Sequence, residues 1–250
     1  MRRRFDAVLP AILLAAGQGS RLAPLTDLIP KCLVPVRGLP LLGHWLNLLG
    51  SSGLSPIIIN TGRHAEAVRK FAGKSPWKKK LILTHEEKLL GTGGTLLANR
   101  EHLAGGTFFA AHADNLSRFD PADFIAAHRT RPANCLLTML LFRSPTPESC
   151  GIVELDARGV VVAFHEKVAA PPGNLANGAV YLMEPEILDL LTSLRTPKPD
   201  ISLDLLPLCL GRIYTWLNPG YHRDIGTPES YAAALEEFTF DPINNSRRGF

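Results

Sequence analysis

Residues 11–16, Ala-Ile-Leu-Leu-Ala-Ala, run straight into Gly17-Gln18-Gly19-Ser20-Arg21-Leu22 and then reach Pro30-Lys31. A short apolar run that ends in glycines reads as a buried strand whose carboxyl end opens into a tight loop. Glycine lets the loop turn sharply and lets backbone N–H groups approach an anion closely. Arg21 and Lys31 add mobile positive charge of two kinds. A planar guanidinium forks onto two phosphate oxygens, whereas an ammonium acts as a compact point charge. The segment predicts a cradle for nucleotide phosphates.

Two familiar phosphate motifs fit poorly. A dinucleotide fingerprint needs a third glycine where Leu22 stands, and an acidic residue at the end of the second strand, where Asn60-Thr61-Gly62 follows Pro56-Ile57-Ile58-Ile59. A P-loop needs Gly-x-x-x-x-Gly-Lys-Ser/Thr, and the Gly73-Lys74-Ser75 tripeptide has Val68 where the first glycine is required. Hydride transfer and P-loop chemistry both lose ground.

The patterning predicts an α/β fold, a Rossmann-like, doubly wound, mixed but mainly parallel sheet. Strands are expected at 11–15, 56–60, 81–84 and 107–111, alternating with helices at 40–49, 65–71 and 94–103. Pro40 suits a helix start, and Gly53 falls just past that helix's end. After His128 a smaller β sub-region is expected. It comprises a strand at 135–142, a hairpin of 151–155 and 160–165 around Asp156-Ala157-Arg158-Gly159, and a strand at 176–183. Helices at 185–194, 202–210 and 228–238 and a strand at 213–217 complete the reading. The length suits one domain over 1–250, with the doubly wound half running to about 130 and a second half after it. No hexapeptide array is seen, so no left-handed β-helix tail is expected.

Composition narrows the function classes. The net charge of +4 is modest, and basic residues cluster only briefly, as at Lys78-Lys79-Lys80 and Arg247-Arg248, so a nucleic-acid partner is not expected. No apolar run approaches the roughly 18 residues of a membrane helix, and the stretch after Met-Arg-Arg-Arg-Phe-Asp is too short for a secretion signal, which predicts a cytoplasmic protein without a membrane partner. Cys32, Cys135, Cys150 and Cys209 are scattered without metal-site spacing, so reduced thiols are expected. An apolar face over 185–194 suits core or interface equally, leaving a homo-oligomer open.

Six segments in order resemble the sugar-1-phosphate nucleotidylyltransferases, the NDP-sugar pyrophosphorylases, over nearly the full chain. Ala15-Ala16-Gly17-Gln18-Gly19-Ser20-Arg21-Leu22 with Pro30-Lys31 resembles the family's signature loop. Gly91-Thr92-Gly93-Gly94 resembles its nucleoside turn, Asp114 its metal aspartate, Glu166-Lys167 its sugar-phosphate pair and Asn177-Gly178 its sugar-contacting strand. Tyr221-His222-Arg223-Asp224-Ile225-Gly226-Thr227-Pro228 resembles its closing metal motif. Ala15-Ala16, Cys32, Ala113 and Val168 depart from the family's usual Gly-Gly, Pro, Gly and Pro. None of these departures removes a charged group.

The resemblance implies that a sugar 1-phosphate attacks the α-phosphorus of an NTP and releases pyrophosphate. Arg21, Lys31 and Lys167 would be catalytic, and Asp114 and Asp224 would hold one Mg²⁺ with phosphate oxygens and water. Ala15, Ala16, Gly17, Gly19, Ser20, Gly91, Thr92 and Gly93 would bind the nucleotide. Glu166, Asn177, Gly178 and Asp204 would bind the sugar, so that 1–130 would be a nucleotide-binding half and 131–250 a sugar-phosphate-binding half. Taken alone, either aspartate would be a turn former or helix cap, and Asp204 suits a plain helical position equally. The pattern looks most like guanylyltransferases acting on mannose- or heptose-type phosphates. Uridylyl transfer to an amino-sugar phosphate such as N-acetylmuramate 1-phosphate, cytidylyl transfer, and a catalytically silent nucleotide-sugar sensor are the alternatives.

Overall fold

The computed structural model describes residues 9–17 and 19–239; Gln18 and the basic termini at 2–4 and 247–248 lie outside them. The chain begins with β1 (Ala11–Leu14), α1 (Leu25–Leu28), β2 (Pro35–Val36), β3 (Leu39–Pro40) and α2 (Leu41–Ser51). It continues through β4 (Ile57–Thr61), α3 (Ala65–Lys74), β5 (Leu81–His85), α4 (Thr92–Ala98), α5 (Arg100–Leu103) and β6 (Phe108–His112). Then come β7 (Asn115–Arg118), α6 (Pro121–Arg129), β8 (Leu137–Arg143), β9 (Gly151–Leu155), β10 (Val161–Glu166) and β11 (Leu175–Met183). The last elements are α7 (Glu186–Ser193), a π-helical turn at Ile201–Leu205, α8 (Leu206–Leu208), β12 (Ile213–Leu217), β13 (Tyr221–Asp224) and α9 (Pro228–Glu237).

Strands β5, β4, β1 and β6 pair in that order and in parallel, and β11 adds antiparallel to β6. β8 and β9 both pair with β11, β10 with β9, and β12 joins β8 in parallel, so one sheet runs through both halves of the chain. The chain leaves β1 toward β4 and β5 on one side and returns at β6 on the other. That reversal puts a crevice outside the carboxyl ends of β1 and β6, where open α/β sheets bind ligands.

The strands are buried on both faces, which explains their continuous apolar sequence. Alternate residues split between two cores: Ile12, Leu14, Ile58, Phe108 and Ala110 face one, while Ala11, Leu13, Ile57, Ile59, Phe109 and Ala111 face the other. A third cluster joins Leu22, Val34 and Val36 beside the first loop to Leu116, Ile225 and Ala234. It docks α9 against the signature loop.

Most expected elements occur, with informative differences. The helix expected over 94–103 begins earlier, at Thr92, because Gly91 with φ +80° stops the preceding chain, and it breaks at Asn99 into α4 and α5. The helix expected over 202–210 is a π-helical turn and a short α8, with Pro207 inside α8, where its ring removes an N–H. The sequence reading lacked α1, α6, β2, β3, β7 and β13. Asp120, whose carboxylate accepts from Ala122 N–H, and Pro121 at the first helical position were a legible start signal for α6. Among the described residues no helix is long and apolar enough to cross a membrane.

Candidate active site

The loop after β1 is shaped by its neighbours as much as by its own glycines. Ala15 N–H donates to Asn60 Oδ1 at 2.6 Å. Gly19 has φ +65°, and a Cβ there would stand 2.8 Å from Lys31 Cβ, so glycine serves both the turn and the close approach of the lysine stem. A Cβ at Gly17 would meet nothing within 4 Å, so the loop's face is open at that residue. Ser20 faces an adjoining groove with Arg63 and His64.

Lys31 is not the mobile cation expected. It is buried, and its ammonium donates to Asp114 Oδ2 at 2.6 Å and Asp224 Oδ1 at 3.3 Å. Burial pulls the Lys31 pKa down, but the two carboxylates outweigh it and hold it above the ordinary lysine value. Burial pushes the Asp114 carboxyl up, and Lys31, with His112 nearby, more than reverses that, leaving it below its ordinary value. Asp114 follows β6, whose end is fixed by Ala113 N–H donating to Leu14 O at 3.0 Å. Asp224 does not merely follow the strand at 213–217; it ends β13, which pairs antiparallel with β7. That short ribbon carries Asp224 back beside Asp114. Two carboxylates converging on one cation, with no third carboxylate, cysteine or histidine grouped with them among the described residues, suit a hard divalent ion completed by phosphate oxygens and water.

On one side of this pair lies a cavity of about 240 Å³ lined by Ala15, Ala16, Gly17, Gly91, Thr92 and Lys31 with Asn60, Glu86 and Thr95. The last three form a buried network. Asn60 Nδ2 donates to Glu86 Oε1 at 2.9 Å, Thr95 Oγ1 donates to the same oxygen at 2.5 Å, and Leu90 N–H donates to Glu86 Oε2 at 3.1 Å. Sequence reading assigned none of these three a role. A lone polar residue, Asn60, closing the apolar run 56–59 was the available signal.

On the other side a polar cleft gathers Arg21, Asp224, Glu166, Lys167 and Asn177 with Cys150, Ser202 and His222. Lys167 has φ +50° and is exposed, with its ammonium 3.4 Å from Glu166 Oε1. Arg21 is exposed and makes no hydrogen bond or ion pair with another described residue. Burial holds the His222 imidazole down to about 3. Its Nδ1 shares a 2.5 Å hydrogen bond with Ser117 Oγ, and its ring lies 4.4 Å from the Phe142 ring. The two cavities share Lys31, His112 and Asp114.

Five expected residues stand apart from the two cavities: Gly19 and Ser20 of the loop already described, and three that serve packing or support. Gly93 is packed in α4, where a Cβ would lie 2.7 Å from Leu191 Cδ2 and 2.9 Å from Pro199 O. Gly178 leaves room for Leu140 and His222 rather than for a sugar ring, since a Cβ would lie 2.7 Å from Leu140 Cδ2 and 3.2 Å from His222 Cε1. Asp204 Oδ2 accepts from Asp200 N–H at 2.7 Å and so stabilises the π-helical turn. Thr92 lines the first cavity, yet its hydroxyl is engaged with Asp200 at 3.0 Å.

The sequence pattern described as "Nucleotidyl transferase" matches residues 10–239. The chain belongs to the nucleotidyl transferase family. This family member is 32% identical over 226 residues to a mannose-1-phosphate guanylyltransferase of Mycobacterium tuberculosis, covering 88% of this chain and 62% of that protein. Mannose-1-phosphate guanylyltransferase 1 of Arabidopsis thaliana is 27% identical, over 91% of this chain and 64% of its own length. The chain spans a little under two thirds of the length of these curated relatives. The crystal structure of HddC from Yersinia pseudotuberculosis superposes with a TM-score of 0.78 at 24% identity, covering 93% of this chain and 100% of that one. An apo UDP-glucose pyrophosphorylase gives 0.77 at 20% identity, covering 92% and 97%. These superpositions establish the shared Rossmann-like nucleotidyltransferase fold of this family member.

Proposed function

We propose that this chain transfers a nucleotidyl group from an NTP, with GTP favoured, to a sugar 1-phosphate of mannose or heptose type, in the cytoplasm. The observation that carries the reading is the junction of two cavities at Lys31, His112 and Asp114. A nucleoside against Gly91 and the Asn60–Glu86–Thr95 network would direct its phosphates to that junction, and a sugar 1-phosphate beside Lys167 would meet it from the other side. The names of the mannose-1-phosphate guanylyltransferase relatives support the choice of base and sugar.

A phosphate oxygen of the acceptor attacks the α-phosphorus, the bond to the bridging oxygen breaks, and pyrophosphate leaves. Such transfers need alignment and charge neutralisation rather than covalent help from the protein. Lys167 holds the acceptor phosphate, Glu166 and Asn177 hydrogen-bond sugar hydroxyls, and Arg21 neutralises the departing pyrophosphate. Asp114 and Asp224 would hold Mg²⁺, which would supply Lewis-acid stabilisation of phosphate charge. Lys31, seated between the two carboxylates, donates to phosphate oxygens that enter the junction.

The test is pyrophosphate release with Mg²⁺ across all common NTPs and a panel of sugar 1-phosphates. Turnover is expected to be fastest with GTP and a mannose- or heptose-type phosphate. Turnover restricted to UTP with an amino-sugar phosphate would move the reading to uridylyl transfer. Binding of an NDP-sugar without turnover of any pair would overturn the enzyme reading.

A further inference from the structure

The turn that opens α4 is bound to a strap from the other half of the chain. Gly93 and Gly94 N–H donate to Pro199 O at 2.8 and 3.2 Å. Thr92 Oγ1 donates to Asp200 Oδ2 at 3.0 Å and accepts from Ile201 N–H at 2.7 Å. The other Asp200 oxygen, Oδ1, accepts from Ser202 N–H at 2.8 Å and Leu203 N–H at 3.0 Å, starting the π-helical turn. One carboxylate thus has one oxygen on the nucleotide-side turn and the other on the segment that carries Ser202.

Ser202 lies on the acceptor side, lining the cleft with Asn177 and Ala179, whereas Asp200 lines neither cavity. In the same cleft Asn177 Nδ2 donates to the phenol of buried Tyr181 at 2.7 Å, and Asn177 Oδ1 accepts at 2.9 Å from the N–H of Ala179, which has φ +51° within the irregular stretch of β11. A chain of hydrogen bonds therefore runs from Thr92 of the nucleotide cavity through the Asp200 carboxylate to the Ser202 N–H of the acceptor cleft.

We propose that Asp200 is a positioning residue that, held by Thr92, locks Ser202 in register with the nucleotide turn, so that the acceptor is presented to a correctly seated nucleotide. The inference rests on the acceptor-side reading of that cleft given above. Thr92 then serves the nucleotide less by touching it than by fixing the acceptor side relative to it. Hydrogen bonds to a charged group are the strong class, so loss of this one is readable in kinetics.

The experiment uses Thr92→Val, which deletes the hydroxyl at nearly constant shape, Asp200→Asn, and Thr92→Ser as the conservative control. Thr92→Val and Asp200→Asn are expected to raise KM for the sugar 1-phosphate about tenfold or more, while KM for the NTP changes less than about twofold. Thr92→Ser restores the wild-type value. In amide hydrogen exchange of the full chain, Ser202 and Leu203 are expected to lose protection in Thr92→Val while the β1 and β4 amides do not. A parallel rise of both KM values, a rise confined to the NTP, or unchanged protection at Ser202 and Leu203 would overturn the inference. If wild type turns over no substrate pair, the proposed function fails by itself, and the exchange measurement still decides the relay.

Discussion

Asp224, the last residue of β13, stands directly opposite Asn115, the first residue of β7 and the chain neighbour of Asp114. This register brings two carboxylates from distant parts of the sequence onto one buried ammonium, Lys31. Asn115 is itself fixed, its side chain donating to Gly178 O at 3.2 Å and its carbonyl accepting from the Trp45 indole at 2.8 Å.

Asp114→Asn and Asp224→Asn should each lower kcat about a hundredfold or more, since each removes charge from the site where phosphate charge must be neutralised. Their stabilities should differ. Asp224 is half exposed, so its loss leaves the melting temperature nearly unchanged, whereas Asp114→Asn takes the 2.6 Å partner from buried Lys31 and should cost about 1–3 kcal/mol. Kinetics and thermal melts on both variants check this; unchanged turnover in both would remove the metal assignment.

Arg21→Lys keeps the charge and loses the planar fork. Because Arg21 is free of partners among the described residues and stands in the cleft wall, the expected effect is on kcat, with KM for both substrates little changed. A pure rise in KM would place Arg21 in ground-state binding instead.

Gly220→Ala should open the ribbon, because a Cβ there would lie 2.1 Å from the Arg118 carbonyl oxygen, a backbone atom that cannot rotate away. A loss of about 1–3 kcal/mol is expected, together with lowered turnover as Asp224 moves from Asp114. Denaturant melts and kinetics test the pair of effects; a stable, fully active variant would show that the ribbon does not position Asp224.

Acid should destabilise the fold through a cluster far from the site. Glu184 Oε1 accepts from Arg131 at 2.5 Å, from Thr107 at 3.0 Å and from His128 at 2.9 Å. The His128 hydrogen bond, assisted by Arg131 and Thr107 and opposed by burial, holds the Glu184 carboxyl below its ordinary value. Burial, reinforced by Arg131 and only partly offset by Glu184, holds the His128 imidazole below its own. Both groups bind protons more readily in the unfolded chain, so both give stability that is complete above their unfolded values and lost as pH falls. Melting temperature should fall from about pH 6.5 downward through His128, then further as pH drops through the Glu184 value. His222 titrates in the same direction. His128→Gln should therefore flatten the upper part of the profile without abolishing it; an identical profile in that variant would refute the assignment.

The site was legible where chemistry is local. Glycines at 17 and 19, the charges at 21 and 31, and the apolar strands announce themselves by residue type and spacing, whereas Gly91, Asp114, Lys167 and Asp224 entered only through the family resemblance. The residues missed were those whose role depends on a partner far along the chain. Asn60, Glu86 and Thr95 look like ordinary polar residues until β1, β4 and α4 are packed together. β7 and β13 are too short and polar for periodicity to reveal, and each is a strand only because the other lies beside it.

The sequence by itself determined the strand order of types, the glycine turns and the stock of charged groups, because backbone conformation and burial preference are written in each residue and its near neighbours. Tertiary structure alone decided which charges meet. Lys31 became a partner of two aspartates, and Gly93 and Gly178 became packing positions. Those outcomes depend on pairings between segments more than 80 residues apart for Lys31 and Asp114 and more than 190 for Lys31 and Asp224. Only the closed sheet and its docked ribbon bring such groups within hydrogen-bond distance, where electrostatics can act on them.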